Sequence, residues 1–183
     1  MHQRSPKVLQ NPEALWKCHA MLRLLILSFA LCFGQSALAN DCEAFPDPRY
    51  IYQAKVVEVY DGDTVRMDID LGFRIVLHNE SLRLWGVDTP EVRGDERERG
   101  IEVRDLVKGW LPVGSEPIIR TLRARDGTDR TGTFHRYLVV ICPEGWSESI
   151  NARLLREGHG TLNAQTQTEA EEISRVFDLV TTE

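Results

Sequence analysis

Tyr52-Gln53-Ala54-Lys55-Val56-Val57-Glu58-Val59-Tyr60, then Asp61-Gly62-Asp63, then Thr64-Val65-Arg66-Met67-Asp68-Ile69-Asp70-Leu71 is the stretch that decides the fold. Both outer runs alternate with period two. In the second, Val65, Met67, Ile69 and Leu71 fall on one side, and Thr64, Arg66, Asp68 and Asp70 on the other. Aspartate and glycine between two such runs mark a tight turn, so the stretch predicts a β-hairpin. Leu71-Gly72 marks a second turn. Phe73 to Leu77 and Ser81 to Leu84 then read as a third strand, bent near His78-Asn79.

Outward from this meander the period changes. Asp95 to Arg99 is a charged first turn, and Val103, Leu106, Val107, Trp110 and Leu111 follow at helical spacing until Pro112. Ile118 to Ala124 and Arg136 to Cys142 read as a fourth and fifth strand, joined by a polar loop from Arg125 to Phe134. Ile150 to Glu157 is a short helix ended by Gly158. A last helix is expected from Thr168, with Glu171 completing a capping box and Ile173, Val176, Phe177 and Val180 as its buried stripe. Three strands, a helix, two strands and two more helices describe an α+β, mainly β chain. The architecture expected is a five-stranded OB-fold barrel with three added helices. Such a fold by itself says only that oligonucleotides or oligosaccharides are suitable ligands.

The N-terminal 39 residues read differently. Arg23 precedes an apolar run, Leu24 to Phe33, interrupted only by Ser28, and Ala37-Leu38-Ala39 supplies a small-x-small cleavage pattern. The run is too short for a permanent membrane span. Residues 21–39 are therefore read as a signal peptide within a leader of residues 1–39, with translation starting at Met1 or Met21. Residues 40–183 are read as one domain, exported to the periplasm or the medium, monomeric, with no stable membrane insertion once the signal is removed. Cys42 lacks a lipid-attachment context, since Asp41 precedes it. Of the four cysteines, Cys42 and Cys142 lie outside the leader, and in an oxidising compartment a disulfide between them is the default.

The whole chain carries 22 basic and 28 acidic side chains, a net charge of −6. Removing the leader takes four of the basic and one of the acidic, leaving 18 against 27 and a net charge of −9. That balance counts against a nucleic-acid partner, whose phosphates are normally met by a basic surface. Outside the leader, however, only Lys55 and Lys108 are lysines. The positive charge is nearly all arginine, the better phosphate fork.

Two stretches hold the residues with chemistry. Asp61-Gly62-Asp63-Thr64 is followed about twenty residues later by Arg83-Leu84-Trp85-Gly86-Val87-Asp88-Thr89-Pro90-Glu91, and the second stretch is Asp129 to Leu138. Hydrolysis of a phosphodiester calls for a hard cation on carboxylate oxygens, a base for water and positive charge around phosphorus. Asp63 and Asp88 suit the cation, Glu91 the base, and Arg83 and Arg136 the phosphate. Taken singly, each has a plainer reading: Asp63 as a turn residue, Glu91 as a solvated loop glutamate, Arg83 as half of a structural ion pair.

Together these stretches resemble the staphylococcal nuclease (thermonuclease) family, and the similarity covers nearly all of Tyr52 to Gly160. The resemblance implies that Asp63, Asp88 and the carbonyl of Thr89 bind Ca²⁺. It implies that Glu91 acts on the attacking water and that Arg83 and Arg136 stabilise the transition state. It implies DNA and RNA as substrates and 3′-phosphorylated fragments as products. It also implies that Asn151, in Asn151-Ala152-Arg153-Leu154-Leu155-Arg156-Glu157-Gly158, is a structural hydrogen bonder. Two departures stand out. His135 replaces the glycine usual before the distal arginine, so a one-residue gap would put Thr133 there instead. Arg136 is preferred because Tyr137 to Ile141 then keeps strand register. Asn163-Ala164-Gln165-Thr166 stands where the best-known member has two nucleotide-flanking tyrosines. The competing reading is a catalytically weak OB-fold module that binds single-stranded nucleic acid, a glycan or a protein.

Overall fold

The computed structural model describes residues 41–42, 49–122, 131 and 136–179. The leader, most of the loop 125–134, His135 and Val180 lie outside the described residues. Strands β1 (Ile51–Val59), β2 (Thr64–Asp70) and β3 (Val76–Leu84) form the expected meander, with β1–β2 and β2–β3 antiparallel. Short strand β4 (Val87–Asp88) follows, then a 3-10 turn (Gly94–Glu96) running into helix α1 (Arg97–Trp110). Strands β5 (Ile118–Thr121) and β6 (Tyr137–Cys142), helix α2 (Ile150–Arg156), strand β7 (Thr161–Leu162) and helix α3 (Gln167–Val176) complete the order.

The barrel is closed, in the order β1-β2-β3-β6-β5, with β5 returning to β1 and with β3 and β6 parallel. This is the expected OB-fold-like barrel with three α-helices. Its interior takes the inward face of each strand: Val56, Val65, Met67, Leu82, Leu84, Ile119, Val139 and Ile141 are all at most 1% exposed. Helices α1 and α2 close it with Val103, Val107, Ile150 and Leu154. The unbroken apolar run of β6 has two destinations. Val139 and Ile141 enter the barrel, while Val140 joins Trp85, Ile173 and Phe177 in a second cluster beneath α3. Trp85 and Phe177 meet edge-on, ring centroids 5.6 Å apart.

Several boundaries differ from the sequence reading, each for a local reason. The third strand starts at Val76, because Phe73 and Arg74 take positive φ angles of 53° and 65° and complete the turn after β2. Phe73 is 97% exposed and Leu71 37% exposed, so neither belongs to the core. The bend at His78-Asn79 is a bulge: Met67 pairs with Glu80 and Ile69 with Leu77, and Asn79, at φ 55°, donates its N–H to the Asp68 carboxylate. The last helix starts at Gln167, capped by Thr166 and not by Thr168. Thr166 Oγ1 accepts from Glu169 N at 3.1 Å, and Glu169 Oε2 accepts from Gln165 N at 2.9 Å. Glu169 Oε1 also accepts from Trp85 Nε1, so the cap docks α3 on the second cluster. Glu171 instead bonds Gln167 within the helix.

Cys42 and Cys142 form a disulfide across a sequence separation of 100 residues. Beside it Asp41 accepts from Ser149 N at 2.9 Å and from the Ser149 hydroxyl, and Ser149 caps α2 by accepting from Ala152 N. No helix among the described residues is long and apolar enough to cross a membrane.

Candidate active site

The β1–β2 turn, the end of β3 and the start of β6 meet at one end of the barrel, because Thr64 pairs with Arg83 and Arg83 with Leu138. Asp63 lies in that turn, buried, with its carbonyl accepting from Leu84 N at 2.8 Å. Its carboxylate gathers donors. Oδ1 accepts from Arg83 Nη1 at 2.5 Å and from the Thr64 hydroxyl at 3.1 Å. Oδ2 accepts from Thr89 N at 2.9 Å and from the Thr89 hydroxyl at 3.2 Å. Arg83 Nη2 reaches Asp88 Oδ1, also at 2.5 Å. One guanidinium therefore bridges the two aspartates that the sequence singled out. Arg136 Nη1 donates to Thr64 Oγ1 at 3.0 Å, which brings the distal arginine to the same centre.

Asp63 is deeply buried, and Asp88 is more than half exposed. Burial raises the Asp63 pKa, against the pull of Arg83 and with a push from Asp61, to about 7. The Thr64 and Thr89 hydroxyls can each donate or accept, so the site accommodates either protonation state. Asp61 has a different task from Asp63: its Oδ1 accepts from Asp63 N at 3.1 Å and shapes the turn.

Glu91 is exposed and makes no hydrogen bond or ion pair with a described residue. Its backbone is nonetheless held closely. A Cβ added at Gly100 on α1 would lie 2.2 Å from Glu91 O and 2.4 Å from Glu91 C. Gly62 plays the matching part in the turn, where a Cβ would come within 2.6 Å of Thr89 Oγ1 and 2.7 Å of Val103 Cγ1. Two glycines thus allow the turn, the 88–91 segment and α1 to close on one another. Gly62 was read from sequence only as a turn residue, and Gly100 was not singled out, its one signal being a glycine inside an amphipathic helix, normally disfavoured there.

The register of β4 was also not foreseen. Val87 pairs with Leu162 and Asp88 with Thr161, and Asn163 N donates to Gly86 O at 3.0 Å, tying the Asp88 backbone to the chain after α2. Asn151 is the structural bonder expected. Fully buried, it donates to Trp85 O and Val139 O at 3.0 Å each and accepts from Ile141 N at 3.1 Å. Those bonds lock the end of β3 to β6, and hence Arg83 to Arg136.

Among the described residues no group of three or more His, Cys, Asp or Glu is placed to hold a metal. The oxygen set at this centre is smaller: two carboxylates that converge on one cationic group, with Thr89 adjacent. Hard oxygen donors suit Ca²⁺, which takes its remaining ligands from carbonyls and water. A guanidinium shared by Asp63 and Asp88 marks a point where both carboxylates meet positive charge. The donor chemistry fits the ion. No protein-family model matches this chain, and no curated protein matches it.

Proposed function

We propose that this protein is an exported, calcium-dependent endonuclease that hydrolyses DNA and RNA to 3′-phosphorylated fragments. The observation that carries the reading is Arg83, held at 2.5 Å by both Asp63 and Asp88, with Arg136 linked to the same centre through Thr64. That arrangement brings together five of the six residues given roles from sequence. Glu91 is three residues beyond Asp88, its backbone fixed against α1. The resemblance to staphylococcal nuclease supports the same assignment, and the leader supports export.

In this reading Asp63, Asp88 and the Thr89 carbonyl hold Ca²⁺, which when bound supplies positive charge to the phosphate oxygens. Glu91 takes a proton from water as the water oxygen bonds to phosphorus. The bond from phosphorus to the 5′-oxygen breaks, its electron pair leaves with that oxygen, and phosphate stays on the 3′ side. Arg83 at present neutralises two carboxylates. With their charge met by a divalent cation, its fork turns to phosphate and, with Arg136, stabilises charge gained in the transition state.

A second reading, an OB-fold module that binds a single strand, a glycan or a protein without cutting, is favoured by the net charge of −6. One assay separates the two. Protein lacking the leader is incubated with a fluorescent oligonucleotide, first with calcium and then with chelator. Calcium-dependent cleavage, lost in Asp88→Ala and reduced about 10²–10³-fold in Glu91→Gln or Arg136→Ala, is expected. Binding without cleavage in the wild type would leave the binding module in its place.

A further inference from the structure

A cleft of about 160 Å³ opens beside Asp88 and Thr89, between the first turn of α1 and residues 158–161. Its size is well below the roughly 300 Å³ at which sites for larger small molecules begin, so it takes one small unit. The floor is fixed. A Cβ on Gly160 would lie 2.9 Å from Val87 Cγ1 and 3.0 Å from Asp88 O, so this backbone is pressed onto β4 and leaves the space above it open.

The walls carry donors that their present contacts satisfy only loosely. Arg99 Nη2 is 3.4 Å from Gly158 O and 3.4 Å from His159 Nδ1, and Arg99 Nη1 is 3.4 Å from Glu102. All three distances are long for hydrogen bonds. The Arg99 Nε–H and the Thr161 hydroxyl have no hydrogen-bond partner among the described residues. His159 lines the cleft, with Glu157 3.3 Å from its Nε2, Arg99 at its Nδ1 and the Trp110 ring beside it. Acidic groups face it too: Glu96 and Asp88 line the cleft, and Glu102 and Glu157 partner the two donors. These carboxylates weaken the pull of Arg99 on an anion.

We propose that this cleft takes the phosphate next along a polynucleotide from the one at the Asp63–Asp88 centre, with Arg99 and His159 as its binding residues. The proposal rests on the nuclease reading, and it gives a chain without the family's flanking tyrosines another hold on the substrate. The subsite shares Asp88 and Thr89 with the central site, so a strand that lays one phosphate on the centre reaches Arg99 with a neighbouring one. Residues that bind a remote phosphate set affinity for longer chains and leave the chemical step alone.

The test compares thymidine oligomers of two and four units, which carry one and three phosphodiesters. Binding is measured by calorimetry with calcium present, in a background that carries Glu91→Gln to suppress cutting, and cleavage with calcium and Glu91 restored. Wild type is expected to bind the tetramer more tightly than the dimer. Arg99→Gln and His159→Gln should each weaken tetramer binding about tenfold, the scale of one charge-assisted contact. Dimer binding and kcat should stay unchanged. Arg99→Lys should retain part of the tetramer affinity. Wild type that binds both lengths equally overturns the subsite, as do variants that bind the tetramer like wild type. Equal loss for dimer and tetramer overturns it too, since the residues then serve the centre or the fold. Absence of cleavage by wild type counts against the nuclease reading alone, because the binding comparison stands without it.

Discussion

Asp63 receives four hydrogen bonds and yet sits where water barely reaches, so its charge is set by two opposed effects. Burial raises its pKa more strongly than Arg83 lowers it, and the outcome is about 7 against an ordinary 3.8. Between those values the folded protein holds a proton that the unfolded chain has released. Without calcium, stability should therefore fall as pH rises from about 4 to 7 and level off above, by at most about 1.4 kcal/mol per unit. Urea unfolding in chelator at a series of pH values measures this, and Asp63→Asn should remove its share of the slope. An unchanged slope in that variant would show the proton to reside elsewhere. If Asp63 holds calcium as proposed, the ion would compete with the same proton, and calcium affinity should climb over the same range. From sequence Asp63 stood out as a candidate ligand only because the run from Asp88 to Glu91 accompanies it. Its bridge through Arg83 was not, because an arginine in Leu82-Arg83-Leu84-Trp85 gives no sign of which carboxylate it meets.

At the level of elements, period and turn chemistry located nearly every strand and helix, since a barrel strand must alternate and a docked helix must show a stripe. The misses are contacts between distant segments. The β4–β7 pair involves two residues from each side, too few to leave a pattern. The capping pair of α3 lies two residues earlier than read, because Glu169 is fixed there by Trp85 from across the fold. Gly100 is a third such contact, and it carries a prediction. Alanine normally strengthens a helix by about 1 kcal/mol over glycine, but here its methyl group would run into the Glu91 backbone. Gly100→Ala should destabilise the protein by about 1–3 kcal/mol, the usual scale of overpacking. It should also lower turnover at saturating calcium by displacing Glu91. Gly109, on the same helix, has nothing within 4 Å of its added Cβ. Gly109→Ala should raise the melting temperature and leave turnover as it was. Turnover of Gly100→Ala equal to wild type would separate Glu91 placement from the chemistry.

Across the whole molecule, the candidate site and the disulfide occupy different ends of β6. Arg136 immediately precedes the strand, while Cys142 ends it, and five residue steps at about 3.3 Å separate the strand's first and last residues by roughly 17 Å. Barrel closure does not depend on the disulfide, for β3 pairs with β6 through Leu82–Tyr137, Arg83–Leu138 and Leu84–Val139. Asn151 reinforces that seam from the protein interior. The disulfide instead ties Cys42 to Cys142 and shortens the unfolded chain across 100 residues. In the chain-entropy model a closure of that length stabilises by about 4–5 kcal/mol, and native bridges in small exported domains typically contribute about 2–5. Paired replacement by serine should therefore lower the unfolding free energy by a few kcal/mol while the specific activity of the folded fraction stays near that of wild type. Asn151→Leu should do the opposite in kind. It removes the side-chain bonds to Trp85 O, Val139 O and Ile141 N and loosens β3 from β6, so Arg83 and Arg136 lose their mutual position. Activity per folded molecule, measured below each variant's unfolding transition, distinguishes the two. Equal loss of activity in the serine pair would mean that the Asp41–Ser149 end of the barrel shapes the site after all.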